Sequence, residues 1–161
     1  MKLIPRTRDE VRASIEAMAP DMRAQISADY LALLEKSPMK DPWVHGFHLL
    51  DDAGHLVGLG GFKGPPTDGM VEIAYAINPD QQGKGHATAS ACALVAYAFE
   101  FDHVQIVRAH TLPDGVASQR VLAKSGFLKK GEFVDPDDGL VWRFEIARPP
   151  PTLRRRTAAP R

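Results

Sequence analysis

Residues 71–90, "VEIAYAINPDQQGKGHATAS", run from an apolar stretch through a loop with a proline and two glycines into a segment rich in alanine. The apolar stretch suits a strand, and the alanine-rich segment suits a helix, because Ala87, Ala91, Leu94, Val95, Ala98 and Phe99 fall on one face at a period of 3.6. Between them, glycines let the main chain come close to a ligand, and the starting helix offers unpaired amides with about half a positive charge. That combination is a pyrophosphate seat. Two commoner phosphate loops fail on spacing: Lys84 is followed by Gly85 rather than Ser or Thr, and Thr88 stands where a dinucleotide fingerprint needs its third glycine.

Working outward, residues 8–36 carry Ile15, Met18 and Met22, then Ile26, Tyr30, Leu33 and Leu34, at helical spacing interrupted by Pro20, which predicts two short helices. Runs 43–50 and 55–62 predict strands joined by an Asp-Asp-Ala-Gly turn, and 70–78 predicts a third. After the alanine-rich helix come a strand over 103–111, a short helix over 115–125 closed by Gly126, and a hairpin of 127–134 with 139–147 across Asp-Pro-Asp-Asp. Leu140, Trp142, Phe144 and Ile146 are expected to face inward in the last strand. A short strand at residues 2–5 completes the order. Helices interleaved with a mixed, mainly antiparallel sheet place the chain in the α+β class, with residues 1–147 as one domain.

The 161 residues carry 20 basic and 20 acidic side chains, but the balance is uneven. Residues 148–161, "RPPPTLRRRTAAPR", hold five arginines and four prolines and no acid, and are expected to form a disordered tail. Residues 1–147 therefore carry 15 basic against 20 acidic groups, a net charge of −5. Such a body is a poor surface for a nucleic acid and a better one for a cationic small molecule or peptide. No apolar run approaches the roughly 20 residues of a membrane span, and "MKLIPRTRDE" has no apolar signal core, so a cytoplasmic protein is expected. The single cysteine, Cys92, is expected to be a small buried side chain. His45, His48, His55, His103 and His110 show no ligand spacing, so no metal is expected.

The loop spells Gln82, Gly83, Lys84, Gly85, His86, Ala87, that is, Gln-x-x-Gly-x-Ala, and at these residues the chain resembles the GNAT superfamily of N-acetyltransferases. The strand before it and "TLPDGVASQRVLAKSGF" at 111–127 extend the similarity toward the ribosomal-protein alanine acetyltransferase branch. The resemblance implies a sheet whose fourth and fifth strands splay apart, with acetyl-CoA lying in the opening. It implies main-chain contacts from Ala76 and Ile77 to the pantetheine, and contacts from Gln82, Gly83, Lys84, Gly85, His86, Ala87 and Thr88 to the pyrophosphate. It implies an amine acceptor, either a small molecule or a peptide N-terminus, walled by the N-terminal helices and the last hairpin, which brings forward Tyr30, Trp43, Asp135, Asp137 and Asp138. A homodimer is compatible with it.

Acetyl transfer from a thioester needs an unprotonated amine, a stabilised oxyanion and a proton for the leaving thiolate. Glu72 interrupts an otherwise apolar strand on the same face as Ala74 and Ala76, which suits a base taking the amine proton; the alternative is an ordinary outward-facing glutamate. Many superfamily members place a tyrosine where this chain has Leu122, so Ser118, which matches a serine of that branch, is the candidate for handling the thiolate; the alternative is a first-turn helix serine. Gly115 and Val116 occupy the positions where the branch has an asparagine, leaving Asp114 as a candidate helix cap. The expected function is N-acetyl transfer from acetyl-CoA, with a CoA-binding module of weak or no catalysis as the alternative.

Overall fold

A computed structural model describes residues 1–150. The chain forms β1 (Lys2–Pro5), α1 (Arg8–Glu16), α2 (Pro20–Arg23), α3 (Ala28–Lys36), α4 (Pro42–His45), β2 (Phe47–Leu50), β3 (Leu56–Phe62), β4 (Met70–Ile77), α5 (His86–Phe99), β5 (Ile106–Thr111), α6 (Val116–Lys124), β6 (Leu128–Asp135) and β7 (Gly139–Ala147). Helix α1 starts on a reciprocal cap, in which Thr7 Oγ1 accepts from Glu10 N–H and the Glu10 carboxylate accepts from Thr7 N–H. The expected helical pair of residues 8–36 is instead three pieces, because Pro20 opens a short helix of its own rather than merely breaking one. The expected strand over 43–50 is also corrected at its start. Asp41 accepts from Trp43 N–H and Pro42 sits at the first helical position, so residues 42–45 make one helical turn that ends at Gly46, φ 66°.

The seven strands form one sheet in the order β1-β2-β3-β4-β5-β7-β6, antiparallel throughout except between β4 and β5. The mixed, mainly antiparallel α+β architecture is thus as expected. The β4–β5 junction holds only three residue pairs, Met70–Ile106, Val71–Val107 and Glu72–Arg108. Beyond them the two strands part.

One face of the sheet packs on α5 and α6 through Val71, Ile73, Leu94, Val107, Leu122 and Phe144, among others. Trp43 belongs to an aromatic cluster on this side, 4.6 Å from Phe62 and 5.1 Å from Phe101 between ring centroids, and not to the acceptor wall the sequence suggested. A smaller core of Val11, Leu34 and Val44, with Ile15 and Tyr30 beside it, joins the N-terminal helices. Two burial expectations are corrected. Cys92 is exposed, on the outer face of α5. In β7, Leu140 is 48% exposed, because the β6–β7 ribbon runs past Thr111, the last residue of β5, and carries Leu140 beyond the core, while Val141, expected to face outward, is 2% exposed on the opposite face. The expected tail falls mainly on residues 151–161, outside the described residues; Arg148 itself donates to the carbonyls of Val104 and Phe101. Among the described residues no helix is long and apolar enough to cross a membrane.

Candidate active site

The end of β4 and the start of α5 are tied by one side chain. Gln82 Nε2 donates to the Ile77 carbonyl at 3.1 Å, which folds the glycine loop back over the strand end. Gly83 (φ 74°) and Gly85 (φ 83°) both sit in the left-handed region, and a Cβ at either would meet nothing within 4 Å. Glycine is required there for backbone conformation and not for room. Gly85 caps α5 without any side-chain bond, and Ala89 N–H is the first amide to bond back along the helix, so the amides of His86, Ala87 and Thr88 are left open.

Those amides face a cavity of about 590 Å³, lined by Tyr75, Ala76 and Ile77 of β4, by Gln82, Gly83, Gly85, His86, Ala87 and Thr88 of the loop, and by Ala117, Ser118 and Lys124 of α6. Lys84 is not among the lining residues, since its ammonium rests on Gln81 Oε1 at 3.2 Å. Strand parity decides which main-chain groups point into the opening. Glu72 O accepts from Lys63 N–H on the β3 side, and Asn78 N–H donates to Val57 on the same side, so Ala74 and Ala76 share that direction. The amides of Tyr75 and Ile77 therefore face the opening, and Ala76 lines it without presenting its own amide.

A second cavity of about 150 Å³ continues between the parted strands and shares Tyr75 and Ser118 with the first. Leu122, 1% exposed, walls it where a tyrosine was lacking in the sequence. Thr111 also lines it, is 6% exposed, and its hydroxyl has no hydrogen-bond partner. Burial pushes the Tyr75 phenol up to about 12. Asp114 does not cap α6; its carbonyl accepts from Val116 N–H, and Gly115 holds the cap position with no side-chain bond.

Glu72 reaches the rim of this second cavity inside a chain of polar side chains. Its Oε1 accepts from His110 Nδ1 at 3.0 Å and is ion-paired with Lys63 Nζ at 2.8 Å. Arg143 Nε donates to His110 Nε2 at 3.0 Å. A guanidinium nitrogen only donates, so His110 Nε2 must accept and the ring's proton sits on Nδ1, directed at Glu72. Burial pulls the Lys63 ammonium down, but its bond and charge pairing with Glu72, and the nearby Asp138 and Asp135, more than offset this and hold it above its ordinary value. Asp135 itself is spent on its own turn, accepting from Asp137 and Asp138 N–H.

Lys63, His110, Thr111 and Tyr75 were not singled out from the sequence. A side-by-side placement of the fourth and fifth strands was the signal for His110, since it puts His110 on the Glu72 face, two residues beyond the Glu72–Arg108 pair. Among the described residues no three His, Cys, Asp or Glu side chains gather as a metal site would need.

Comparison with known proteins agrees with this geometry. A family model described as an acetyltransferase (GNAT) domain matches residues 2–128. Two proteins of Bacillus subtilis (strain 168) named as uncharacterized N-acetyltransferases are similar in part. YjdG is 35% identical over 74 residues, covering 45% of this chain and 44% of its own. YnaD is 34% identical over 62 residues, covering 38% and 36%. The chain thus matches less than half the length of these curated relatives. A spermidine N-acetyltransferase chimera from Vibrio cholerae and hSSAT superposes with a TM-score of 0.66 at 20% identity, over 91% of this chain and 96% of its own. The aminoglycoside acetyltransferase AAC(6')-Ib in complex with coenzyme A and kanamycin gives 0.65 at 21% identity, over 91% and 95%. At those identities the likeness speaks for the fold.

Proposed function

The chain belongs to the GNAT acetyltransferase family, and on that premise we propose that it transfers an acetyl group from acetyl-CoA to a primary amine of a small molecule or a peptide N-terminus, by direct attack within a ternary complex. The observation that carries this is a pair of neighbouring cavities that share Tyr75 and Ser118 in their walls, one lined by His86, Ala87 and Thr88 of the loop and the other by Glu72. The pyrophosphate takes the loop amides together with the α5 N-terminus. Pantetheine lies along β4 as an added strand, bonding the main chain of Tyr75 and Ile77 and passing Ala76. His86 adds a side chain to the cavity wall, whereas Lys84 contributes charge only at a distance.

At the far end the amine nitrogen attacks the thioester carbonyl. The N–C bond forms, the C–S bond breaks, and the amine proton passes to the Glu72 carboxylate, which His110 and Lys63 hold in place. A main-chain amide facing the opening stabilises the oxyanion. The leaving thiolate takes its proton from the Ser118 hydroxyl, replenished from solvent, with Thr111 as a second donor in the same cavity. Arg143 and His110 act by holding the Glu72 carboxylate in place.

The test is release of CoA thiol from acetyl-CoA across a panel of primary amines, with the acetylated product weighed by mass spectrometry. Thiol release that depends on a primary amine is expected. The other reading, a CoA-binding module, draws on the buried Leu122 and the bare Gly115. Firm CoA binding with no thiol release from any amine would establish it instead.

A further inference from the structure

A third cavity, about 320 Å³, opens on the face of β4 that carries Ala74 and Ala76, beside α3, α4 and Arg6 in the link from β1 to α1. It shares Tyr75 with the other two. Its floor is worn down to backbone: a Cβ on Gly61 would stand 2.7 Å from Gly46 Cα, and one on Gly46 would stand 2.6 Å from Gly60 O. Arg6 is the one charged side chain in its lining. His45, also in the lining, is neutral, because its Nδ1 accepts from Asp41 N–H and its Nε2 donates to Ser37 Oγ. Tyr30 donates its hydroxyl to Val44 O.

Among the described residues no carboxylate comes within ion-pair distance of Arg6, although the charge of Glu10 acts on it from farther off. Its Nη2 donates to Ser14 Oγ at 2.7 Å and to Glu10 O at 3.5 Å, both neutral oxygens, and its Nε is buried without an acceptor. The Glu10 carboxylate is already held by Thr7 and His48. A guanidinium offers five N–H groups in a planar fork matched to a carboxylate, and a half-buried one with most of them idle sits well below its best solvation. Burial accordingly lowers Arg6 from its ordinary value.

Position supplies the geometry. Glu72, Ala74 and Ala76 follow one another along one face, so an amine at Glu72 and a group over Ala74 to Ala76 lie roughly 7–13 Å apart.

We propose that this cavity is an anion subsite of the acceptor and that Arg6 binds a carboxylate there, so that the acceptor is an amine carrying a carboxylate about 7 Å or more from its nitrogen. An amino-alkanoate or a short peptide with a free C-terminus has this chemistry, and a polyamine does not. The amine half of the proposal rests on the acetyl transfer proposed above, and the carboxylate half rests on Arg6 alone.

The test uses 6-aminohexanoate and triglycine, each beside its C-terminal amide, and spermidine. All five are titrated calorimetrically into the CoA-loaded protein and run in the thiol-release assay. Each carboxylate is expected to bind about 10–100-fold more tightly than its amide, with turnover following in KM rather than kcat. Arg6→Gln should erase that ratio, Arg6→Lys should keep part of it, and Ser14→Ala should keep most of it. The two scaffolds separate a small-molecule source from a peptide source. Equal affinity for carboxylate and amide in the unaltered protein overturns the proposal whether or not the Arg6 variants fold, and so does a ratio that survives Arg6→Gln. Carboxylate-selective, Arg6-dependent binding with no thiol release would leave the subsite standing and remove the catalytic reading. Turnover without that selectivity would do the reverse.

Discussion

Glu72 Oε1 accepts a single hydrogen bond, from His110, and is ion-paired with Lys63, so the carboxylate is oriented and still has lone pairs for a further proton. We expect Glu72→Gln to lower kcat about 10²–10⁴-fold at neutral pH, the usual worth of a general base, while CoA affinity measured by calorimetry stays within error. A kcat unchanged across pH would remove Glu72 from proton transfer. Leu122 raises the opposite question, whether the absent tyrosine can be restored. At 1% exposure it has no spare volume, so Leu122→Tyr should cost about 1–3 kcal/mol in denaturant unfolding and bring no gain in turnover. His45 governs an acid limb. Burial holds it below 6.5 in the folded protein, so on acidification the unfolded chain takes up the proton first. Stability present above pH 6.5 should therefore fall as pH drops from there toward the folded value, and chemical denaturation of His45→Gln should lack that limb. The face of Glu72 was legible because strand alternation is local. Its partner His110, 38 residues away, is placed by sheet order, which no single-residue pattern encodes.

At the scale of elements, the glycine loop was legible because its chemistry lies within one strand–loop–helix unit. The turn at 42–45 was not, since Pro42 and the Asp41 cap override a stretch of β-favouring side chains. The Lys84 side chain was assigned by position in the motif, and its contact with Gln81 depends on how the turn at 79–81 is wound. Two glycine substitutions separate conformation from space. Gly85→Ala meets no atom within 4 Å but must hold φ 83°. It should cost about 1–2 kcal/mol and weaken CoA binding, as the loop relaxes away from its open amides. Gly61→Ala drives a Cβ to 2.7 Å from Gly46 Cα, backbone against backbone. It should destabilise by at least about 1–3 kcal/mol and leave CoA affinity in the surviving folded fraction unaltered. Equilibrium unfolding and CoA titration on both variants check the pair, and the same effect on CoA affinity from each would contradict the assignment of the loop.

The whole sheet is two sub-sheets, β1-β2-β3-β4 and β5-β7-β6, joined edge to edge by three residue pairs and bridged by α5 and α6 through one shared core. The parted halves of β4 and β5 leave main-chain groups unpaired, and pairing them with a pantetheine would complete the sheet where the chain does not. A ligand of this kind stabilises the molecule as a unit, because it binds only when both sub-sheets are in place. At a free concentration of 100 times its Kd, CoA should add about 2.7 kcal/mol to the unfolding free energy. For a chain of this length that amounts to a rise in Tm of roughly 5–10 °C by scanning calorimetry. Hydrogen exchange should slow most at the amides of Tyr75 and Ile77 and at those of His86, Ala87 and Thr88, which have no acceptor of their own. Fragments that supply pyrophosphate without pantetheine should slow the loop amides and leave Tyr75 and Ile77 as they were. A rise in Tm with no change at those strand amides would mean that CoA binds the loop alone, and that the opening between β4 and β5 holds something else.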